Sequence, residues 1–194
     1  MFYTNLSIFW REIPAYEKTV RKNIKFLIPY WQKLKIYYVI QEYRNNNFLT
    51  GDMKMYDIHS HIIYGVDDGA QSLEEAVKMA ENASLHGTKG LAATPHTNVP
   101  GSNDNFWGPD LLERVKALRA ALKENYIDVQ IFCGQEIFCT AYTADYLRTG
   151  KVITLNNSRY PLVEFDFYEN SDAVFSRLEK IISEGFVPVV AHPE

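Results

Sequence analysis

The stretch YDIHSHIIYGVDDGAQSLEE, residues 56–75, contains a strand pattern, two histidines, an acidic turn and a helix start in succession. Its first six residues, YDIHSH, predict a β-strand. Ser72 stands at the predicted N-cap of a helix, and Glu75 completes a capping box three residues later. A strand followed by a helix is the repeating unit of an α/β fold, so this stretch decides the fold class.

The two histidines of this stretch, His59 and His61, project from the same face of the strand, because side chains alternate along a strand. Two imidazoles on one face can bind a single metal ion. The same spacing also fits a polar pair inside a barrel, so the motif alone leaves both interpretations open. Asp67 and Asp68 precede Gly69, and locally this triplet is typical of a plain turn.

The pattern of strand followed by helix continues along the chain. Further strands are predicted at KGLAATPH, DVQIFCGQE, YPLVEFDF and FVPVVAHPE, residues 89–96, 128–136, 160–167 and 186–194. Helices are predicted at SLEEAVKMAENASLHG, PDLLERVKALRAALKENY, TADYLRTG and SDAVFSRLEKIISEG, residues 72–87, 109–126, 143–150 and 171–185. This alternation predicts βαβ units that form a mainly parallel sheet or barrel.

The first 52 residues differ in composition from residues 53–194. They are rich in aromatic residues and carry a net charge of +4, whereas the remaining residues carry −8. A helical extension is predicted for residues 1–52. One interpretation is a basic amphipathic segment that contacts a membrane surface or a partner. The other is an irregular extension, or sequence translated from a start that is not the natural one.

The bulk composition excludes several classes of protein. The 194 residues carry a net charge of −4, which argues against a general nucleic-acid binder. No stretch approaches the ~20 apolar residues of a membrane span, and the N-terminus has no signal-peptide layout. Cys133 and Cys139 form no disulfide framework and lack metal-site spacing, so we expect two core thiols. A cytoplasmic protein is therefore predicted.

Metal-capable side chains stand where the predicted strands end. They are His59 and His61, His96, Glu136, Glu164 and His192. In a parallel α/β barrel the C-terminal strand ends converge on one face, so these side chains are expected to lie together. The remaining histidine, His86, falls in the last turn of the first helix and is expected to complement the helix dipole.

The residue types at these strand ends favour one chemistry. Histidine and carboxylate ligands without cysteine suit Mn, Fe or Zn. Carboxylates can bridge two ions, and clustered divalent ions stabilise phosphoryl oxygens and activate water. The sequence contains no glycine-rich phosphate loop, no nucleophile elbow and no thiolate-phosphatase motif. Metal-assisted phosphoester hydrolysis is therefore the leading prediction.

Five motifs in order carry a family resemblance: DIHSHIIYGVDDGAQSLEEA, AATPH, GQEI, LVEF and VVAHPE. They resemble the polymerase and histidinol phosphatase (PHP) superfamily, and within it the manganese-dependent protein-tyrosine phosphatases encoded with capsular and exopolysaccharide genes of Gram-positive bacteria. The resemblance implies a distorted (βα)7 TIM-like barrel, of which this α/β chain would contain about five of the seven βα units.

The resemblance also implies ligands for up to three Mn²⁺ ions, with Fe or Zn as possible substitutes. His59, His61 and Glu136 would bind the first ion, and Glu136 would bridge to a second ion held by Glu164 and His192. Asp68 and His96 would serve the third. Glu136, Glu164 and His192 would be the catalytic residues. The implied substrate is the phosphorylated tyrosine-rich tail of a bacterial tyrosine kinase that controls polysaccharide production.

The chain departs from this family pattern after Glu194, where an arginine, further strands and an Asp-x-His pair are expected. We therefore expect a PHP domain truncated at its C-terminus, with open strand edges that favour self-association. Two alternatives stay open. One is a histidinol-phosphatase-like phosphoesterase of the same superfamily, and the other is an inactive truncated fragment that binds metal.

Overall fold

The computed structural model describes residues 55–102 and 104–192. The predicted helical extension over residues 1–52 lies outside the described residues, as do Pro193 and Glu194 of the last predicted strand. Among the described residues, no helix is both long enough and apolar enough to cross a membrane.

The described chain alternates strands and helices, as the sequence predicts. The strands are β1 (Met55–Ser60), β2 (Thr88–Ala93), β3 (His96–Thr97), β4 (Gln130–Cys133), β5 (Glu136–Phe138), β6 (Leu162–Glu164) and β7 (Val189–Val190). The helices are α1 (Leu73–Leu85), α2 (Pro109–Glu124), α3 (Thr143–Thr149) and α4 (Ser171–Ser183), with a 3₁₀ turn at Leu155–Asn157.

These strands form two parallel sheets. The first sheet has three strands in the order β1-β2-β4, and the second has four in the order β3-β5-β6-β7. Every strand pair is parallel. The strands of each sheet therefore follow the order of the chain, as expected when each crossover is short and helical. The predicted parallel α/β class is confirmed, whereas the incomplete barrel stays a prediction.

Two predicted strands are each broken into two short ones, so their prediction as single strands is wrong. Residues 89–96 divide between β2 and β3, and residues 128–136 divide between β4 and β5. The breaks fall at the dipeptides 94–95 and 134–135, which we call the seam. Pro95 has no N–H to donate to a ladder. A Cβ on Gly134 would lie only 3.1 Å from Leu155 Cδ2.

Buried polar side chains satisfy the backbone at the seam. Thr94 Oγ1 accepts a hydrogen bond from Ser60 N at 2.9 Å and lies 3.2 Å from Ser60 O. The amide of Gln135 donates to Asn105 O at 2.7 Å and accepts from Ile153 N at 2.9 Å. Thr94 and Gln135 are both fully buried. Each side chain thus bonds a segment beside the seam, Thr94 the end of β1 and Gln135 the loops at Asn105 and Ile153.

Helix α1 begins and ends as its sequence predicts. Ser72 is the N-cap, and its hydroxyl accepts a hydrogen bond from Glu75 N at 3.2 Å. The Glu75 carboxylate accepts from Gln71 N at 2.7 Å, which closes a variant of the predicted capping box. His86 is exposed, and its Nδ1 lies 2.7 Å from Asn82 O at the carbonyl end of the helix. This placement agrees with its predicted role at the helix dipole.

Two apolar clusters support the sheets. The first packs α1 and α2 against the three-stranded sheet and includes Ala76, Ala80, Leu91, Leu111, Val115, Leu118, Leu122 and Ile131. The second lies beside the four-stranded sheet and includes Ile137, Cys139, Leu147, Val152, Val163, Leu178 and Ile181. Leu112 of α2 is 36% exposed. Cys139 is a core thiol as predicted, whereas Cys133 is only partly buried.

Candidate metal centre

Glu136 occupies the middle of the cluster of predicted site residues. It is the first residue of β5 and lies in register with His96 of β3. Its side chain is wholly buried, and Oε2 lies 2.9 Å from His59 Nε2, 3.2 Å from His61 Nε2 and 3.2 Å from His96 Nδ1. Oε1 lies 3.3 Å from His192 Nε2. Four imidazoles therefore surround one buried carboxylate.

The contacts of Glu136 have the spacing of metal ligands rather than the directions of hydrogen bonds. Within the described residues, neither of its carboxylate oxygens forms a directed hydrogen bond. A buried carboxylate without hydrogen bonds is costly unless a cation compensates its charge. Atoms that bind one ion at 2.0–2.2 Å lie about 3.0–3.4 Å from each other. His59 Nε2 and His61 Nε2 are 3.2 Å apart, so this donor set fits a divalent ion.

Asp67 is a further residue of this centre that the sequence indicated only as part of a turn. Its carboxylate lies 2.9 Å from His61 Nδ1 and accepts hydrogen bonds from Gly69 N at 3.0 Å and His96 N at 3.0 Å. A carboxylate on one imidazole nitrogen fixes the tautomer and leaves the other nitrogen free for a metal. Asp67 therefore orients His61 and ties it to the backbone of β3.

The loop that carries Asp67 folds back on the end of β1. Ala70 N donates to His61 O at 3.0 Å, and the Gln71 amide donates to Asp67 O and Gly69 O. A Cβ on Gly69 would lie 2.1 Å from His61 O, so only glycine fits at this point. Gln71 also binds Glu75 at the start of α1. The loop is therefore continuous with the cap of the first helix.

His96 connects the centre to the end of β6. Its Nδ1 lies 2.8 Å from Glu164 Oε1, and its Nε2 lies 3.7 Å from Asp68 Oδ1. The side chain of Asp68 is 82% exposed, whereas that of Glu164 is 15% exposed. Glu164 thus has the partner that a carboxylate in an apolar strand requires.

The structure brings the predicted ligands together but groups them differently from the family expectation. The described part of the structure contains three sets of residues, and within each set the ligand atoms lie within 4.8 Å of one another. They are His59 with Glu136 and His192, His61 with His96 and Glu136, and His61 with Asp67 and Asp68. Glu136 belongs to two of these sets, whereas Glu164 belongs to none of them. The roles of these residues as ligands stay predictions.

Shifted pKa values show that the cluster attracts positive charge. Burial opposes the charged form of His61, but Asp67 and Glu136 outweigh it and raise the pKa of His61 to about 10. Burial likewise opposes the charge of Glu136, but His59 and His61 lower the pKa of its carboxyl to about 2. The contact with Glu164 raises the pKa of His96. The centre therefore presents ionised carboxylates that stabilise a cation.

His192 completes the cluster from the residues after β7. Its ring centroid lies 5.2 Å from that of His59. Its backbone φ is 49°, in the left-handed region that residues other than glycine enter at a cost of about 1–2 kcal/mol. Ala191 N donates to Val163 O at 2.9 Å, which fixes the chain beside β6 immediately before this residue. An unfavourable backbone conformation thus accompanies the placement of His192 in the centre.

A cavity of about 580 Å³ opens beside the centre. Asp67, Asp68, His96 and Glu164 line its side nearest the cluster. Phe138, Phe165 and Phe167 contribute aromatic surface to the same cavity. The cavity therefore combines metal-capable groups with an apolar wall, as a site for a small organic ligand does.

The parallel sheets and the cluster of histidines and carboxylates together define an α/β protein with a candidate metal centre. The family described as "Capsular polysaccharide synthesis, CpsB/CapC" matches residues 55–194, so the chain belongs to the CpsB/CapC family. The predicted resemblance to capsular tyrosine phosphatases is confirmed at this level.

Individual relatives agree with this assignment. The tyrosine-protein phosphatase CpsB of Streptococcus pneumoniae is 33% identical over 142 residues, which cover 72% of this chain and 57% of CpsB. The tyrosine-protein phosphatase YwqE of Bacillus subtilis (strain 168) is 31% identical, with coverages of 72% and 54%. The chain thus spans little more than half the length of these relatives.

A solved structure shows the same fold. This structure comes from a study of YwqE from Bacillus subtilis and CpsB from Streptococcus pneumoniae, and that study describes both proteins as metal-dependent tyrosine phosphatases. The match has a TM-score of 0.66 and 31% sequence identity, and it covers 72% of this chain and 56% of the other. The α/β architecture described above is therefore that of its relatives.

Proposed function

We propose that this protein is a metal-dependent phosphatase that hydrolyses phosphotyrosine in proteins of capsule or exopolysaccharide production. Its membership of the CpsB/CapC family and the phosphatase names of its relatives support this activity. The observation that carries the proposal is Glu136, a wholly buried carboxylate with four imidazole nitrogens at 2.9–3.3 Å and no directed hydrogen bond.

The proposed cofactor is Mn²⁺, with up to three ions and with Fe or Zn as possible substitutes. His59, His61 and Glu136 would hold one ion, Glu136, Glu164 and His192 a second, and Asp68 and His96 a third. When bound, such ions stabilise phosphoryl oxygens and promote the ionisation of water. Three of these ligands, Glu136, Glu164 and His192, are the proposed catalytic residues.

The charges of the protein's own side chains determine the order in which metal ions and a phosphate ester bind. Glu136, Glu164, Asp67 and Asp68 all face the centre or its cavity, so the unloaded site is rich in negative charge. A phosphate ester is itself negative and is repelled by such a site. Cations therefore bind first and the phosphate ester second. Asp67 contributes by keeping Nε2 of His61 directed toward Glu136.

The proposed substrate is the phosphorylated tyrosine-rich tail of a bacterial tyrosine kinase, and the proposed location is the cytoplasm. The proposed architecture is an incomplete (βα)7 barrel of the PHP type. The purely parallel pairing and the chain-order succession of strands in each sheet support it. Contact with a membrane would involve only residues 1–52, and self-association is a further prediction.

Two measurements on the purified chain test the activity. The first is Mn²⁺ affinity by titration calorimetry, and the second is release of phosphate from a phosphotyrosine peptide. Glu136→Gln keeps the shape of the side chain but removes its charge, so we expect it to abolish both. The matched control is Glu113→Gln, because Glu113 is an exposed carboxylate on α2 that forms an ion pair with Lys116. We expect this control to match the unmodified chain.

The outcomes separate the proposal from its competitors. Tight Mn²⁺ binding with turnover of the peptide, both lost in Glu136→Gln, is the expected result. Turnover of histidinol phosphate without turnover of the peptide would contradict the proposed substrate. Metal binding that survives Glu136→Gln would contradict the proposed centre. Repeating the titration with Fe²⁺ and Zn²⁺ ranks the candidate metals by their affinity for the centre.

A further inference from the structure

We infer that the cavity beside the centre binds the aromatic ring of the substrate against an aryl wall formed by Phe138, Phe165 and Phe167. The inference rests on the proposed phosphatase function and concerns how its site distinguishes an aryl phosphate from an alkyl phosphate. All three side chains line the same cavity as His96 and Glu164. A ligand held by its phosphate at the centre would thus have its organic part beside this wall.

Phe167 is the member of the wall with the most free surface. It is 82% exposed, which is unusual for a phenylalanine in a turn, because large apolar side chains gain free energy when buried. Phe165, by contrast, packs in part against the second apolar cluster. Much of the Phe167 side chain therefore remains available to a ligand.

The turn that presents Phe167 is well bonded. Tyr168 N donates to Asp166 Oδ1 at 2.8 Å, and Glu169 N donates to Asp166 O at 3.0 Å. Arg177 of α4 then binds Glu169 Oε2 at 2.7 Å and Cys139 O at 2.8 Å. These contacts tie the turn to the four-stranded sheet. The exposure of Phe167 thus belongs to a fixed conformation of the turn.

The wall and the candidate ligands come from β5, β6 and the segment that directly follows β6. Phe138 lies in register with Glu164 across β5 and β6, and Phe165 directly follows Glu164, the last residue of β6. Glu136 begins the strand that Phe138 ends. Backbone pairing therefore fixes Phe138 relative to Glu136 and Glu164, whereas the bonded turn after β6 places Phe167.

This arrangement suits a phosphate on an aromatic ring. Ring–ring contacts contribute about 0.5–1.5 kcal/mol beyond the burial of apolar area. A phosphorylated serine or threonine has no ring and cannot make this contact. The wall thus favours an aryl phosphate, whereas the centre itself would treat aryl and alkyl phosphates alike.

Two probes that differ only in the organic group test the wall. Phenylphosphonate and methylphosphonate are titrated separately into the Mn²⁺-loaded chain by calorimetry. We expect Phe167→Ala to weaken phenylphosphonate about 2- to 10-fold and to leave methylphosphonate unchanged. The matched control is Tyr168→Ala, since Tyr168 is 97% exposed in the same turn and does not line the cavity. This control is expected to leave both affinities unchanged.

Each other outcome identifies which statement is wrong. Equal weakening of both probes by Phe167→Ala, or no weakening of either, would overturn the aryl wall while the centre stands. Equal effects of Tyr168→Ala and Phe167→Ala on phenylphosphonate would overturn the assignment to Phe167. Failure of the Mn²⁺-loaded unmodified chain to bind either phosphonate would overturn the proposed function and the wall with it.

Discussion

The two sheets of this protein differ in length, packing and chemistry. The first sheet contains strands of four to six residues and packs against α1 and α2 through a wholly apolar cluster. The second contains strands of two or three residues, and two of its strands begin with His96 and Glu136. The first sheet thus supports the helices and contributes His59 from β1, whereas the short strands place His96, Glu136 and Glu164.

This difference shows how one chain can separate stability from chemistry. A buried carboxylate among imidazoles weakens a core, because polar groups without partners are costly. The seam interrupts the predicted strands 89–96 and 128–136 just before His96 and Glu136, so these two residues begin strands of the second sheet. His59 remains on β1 of the first sheet, and the side chains of Thr94 and Gln135 bond the segments beside the interruption. The following predictions test this separation, from the largest expected effect to the smallest.

The largest effect is expected in the core of the first sheet. Leu118→Ala removes a fully buried side chain of α2 and should lower the free energy of unfolding by about 3–5 kcal/mol. Urea unfolding measures this loss. Leu112→Ala on the same helix is the control, and it should cost much less because Leu112 is partly exposed. Below the unfolding transition, Mn²⁺ affinity should be unchanged in both variants; a loss specific to Leu118→Ala would contradict the separation.

A second prediction concerns Asp67, which acts on the centre and not on the core. Asp67→Asn places an amide where His61 Nδ1 and His96 N now meet a carboxylate oxygen. We expect Mn²⁺ affinity to fall about 10- to 100-fold, and the pKa of His61 to fall from about 10 because one of the anions that raise it is removed. Calorimetry measures the affinity, and an NMR titration of the imidazole in the metal-free chain measures the pKa.

The control for this prediction is Asp57→Asn. The exposed Asp57 carboxylate accepts a hydrogen bond from His59 N at 3.1 Å, and an asparagine oxygen can accept the same bond. Mn²⁺ affinity should therefore match the unmodified chain. An unchanged pKa of His61 in Asp67→Asn would show that the Asp67 carboxylate does not act on this ring.

The third prediction concerns the seam itself. Thr94→Val keeps the volume of the side chain but leaves Ser60 N without the hydroxyl that it binds at 2.9 Å. The free energy of unfolding should fall by about 1–2 kcal/mol, as expected for an unsatisfied buried donor. Thr94→Ser retains the hydroxyl and should recover much of this loss. Equal stability of the valine variant and the unmodified chain in urea would mean that the seam needs no side-chain bond.

The smallest effect is expected at the cysteines. Burial raises the pKa of the Cys139 thiol to about 12, so this thiol stays protonated at pH 7–9 and the fraction of reactive thiolate stays low. A disulfide reagent should therefore label Cys133 in the folded chain and leave Cys139 unlabelled at each pH in this range. Labelling of both thiols should require denaturant. Rapid labelling of Cys139 in the folded chain would show that the second cluster opens readily.

The sequence predicted the elements and the convergence of the polar residues because both depend on local patterns. The capping box of α1, the periodic leucines of α2 and the alternation of strands with helices are all readable from neighbouring residues. Positions at strand ends likewise predicted that His59, His96, Glu136 and Glu164 lie close together. The resemblance to a known family then supplied the expected chemistry.

The seam and Asp67 could not be predicted in the same way. KGLAATPH has the composition of one continuous strand, and only long-range bonding shows that it divides between two sheets. The local signal at position 95 is a proline, which is equally compatible with the end of a strand. Asp67 resembles any aspartate before a glycine, because its contact with His61 depends on how the loop folds. Features that depend on tertiary contacts are therefore missing from a local pattern.

The bonds of Gln71 give the centre a distant reporter. Because Gln71 bonds both to the Asp67 loop and to Glu75 at the start of α1, we expect opening of the loop to fray the first turn of the helix. A ligand that holds the loop closed should then slow amide hydrogen exchange at this turn. The backbone of residues 73–76 can thus record occupancy of the centre without any probe inside it.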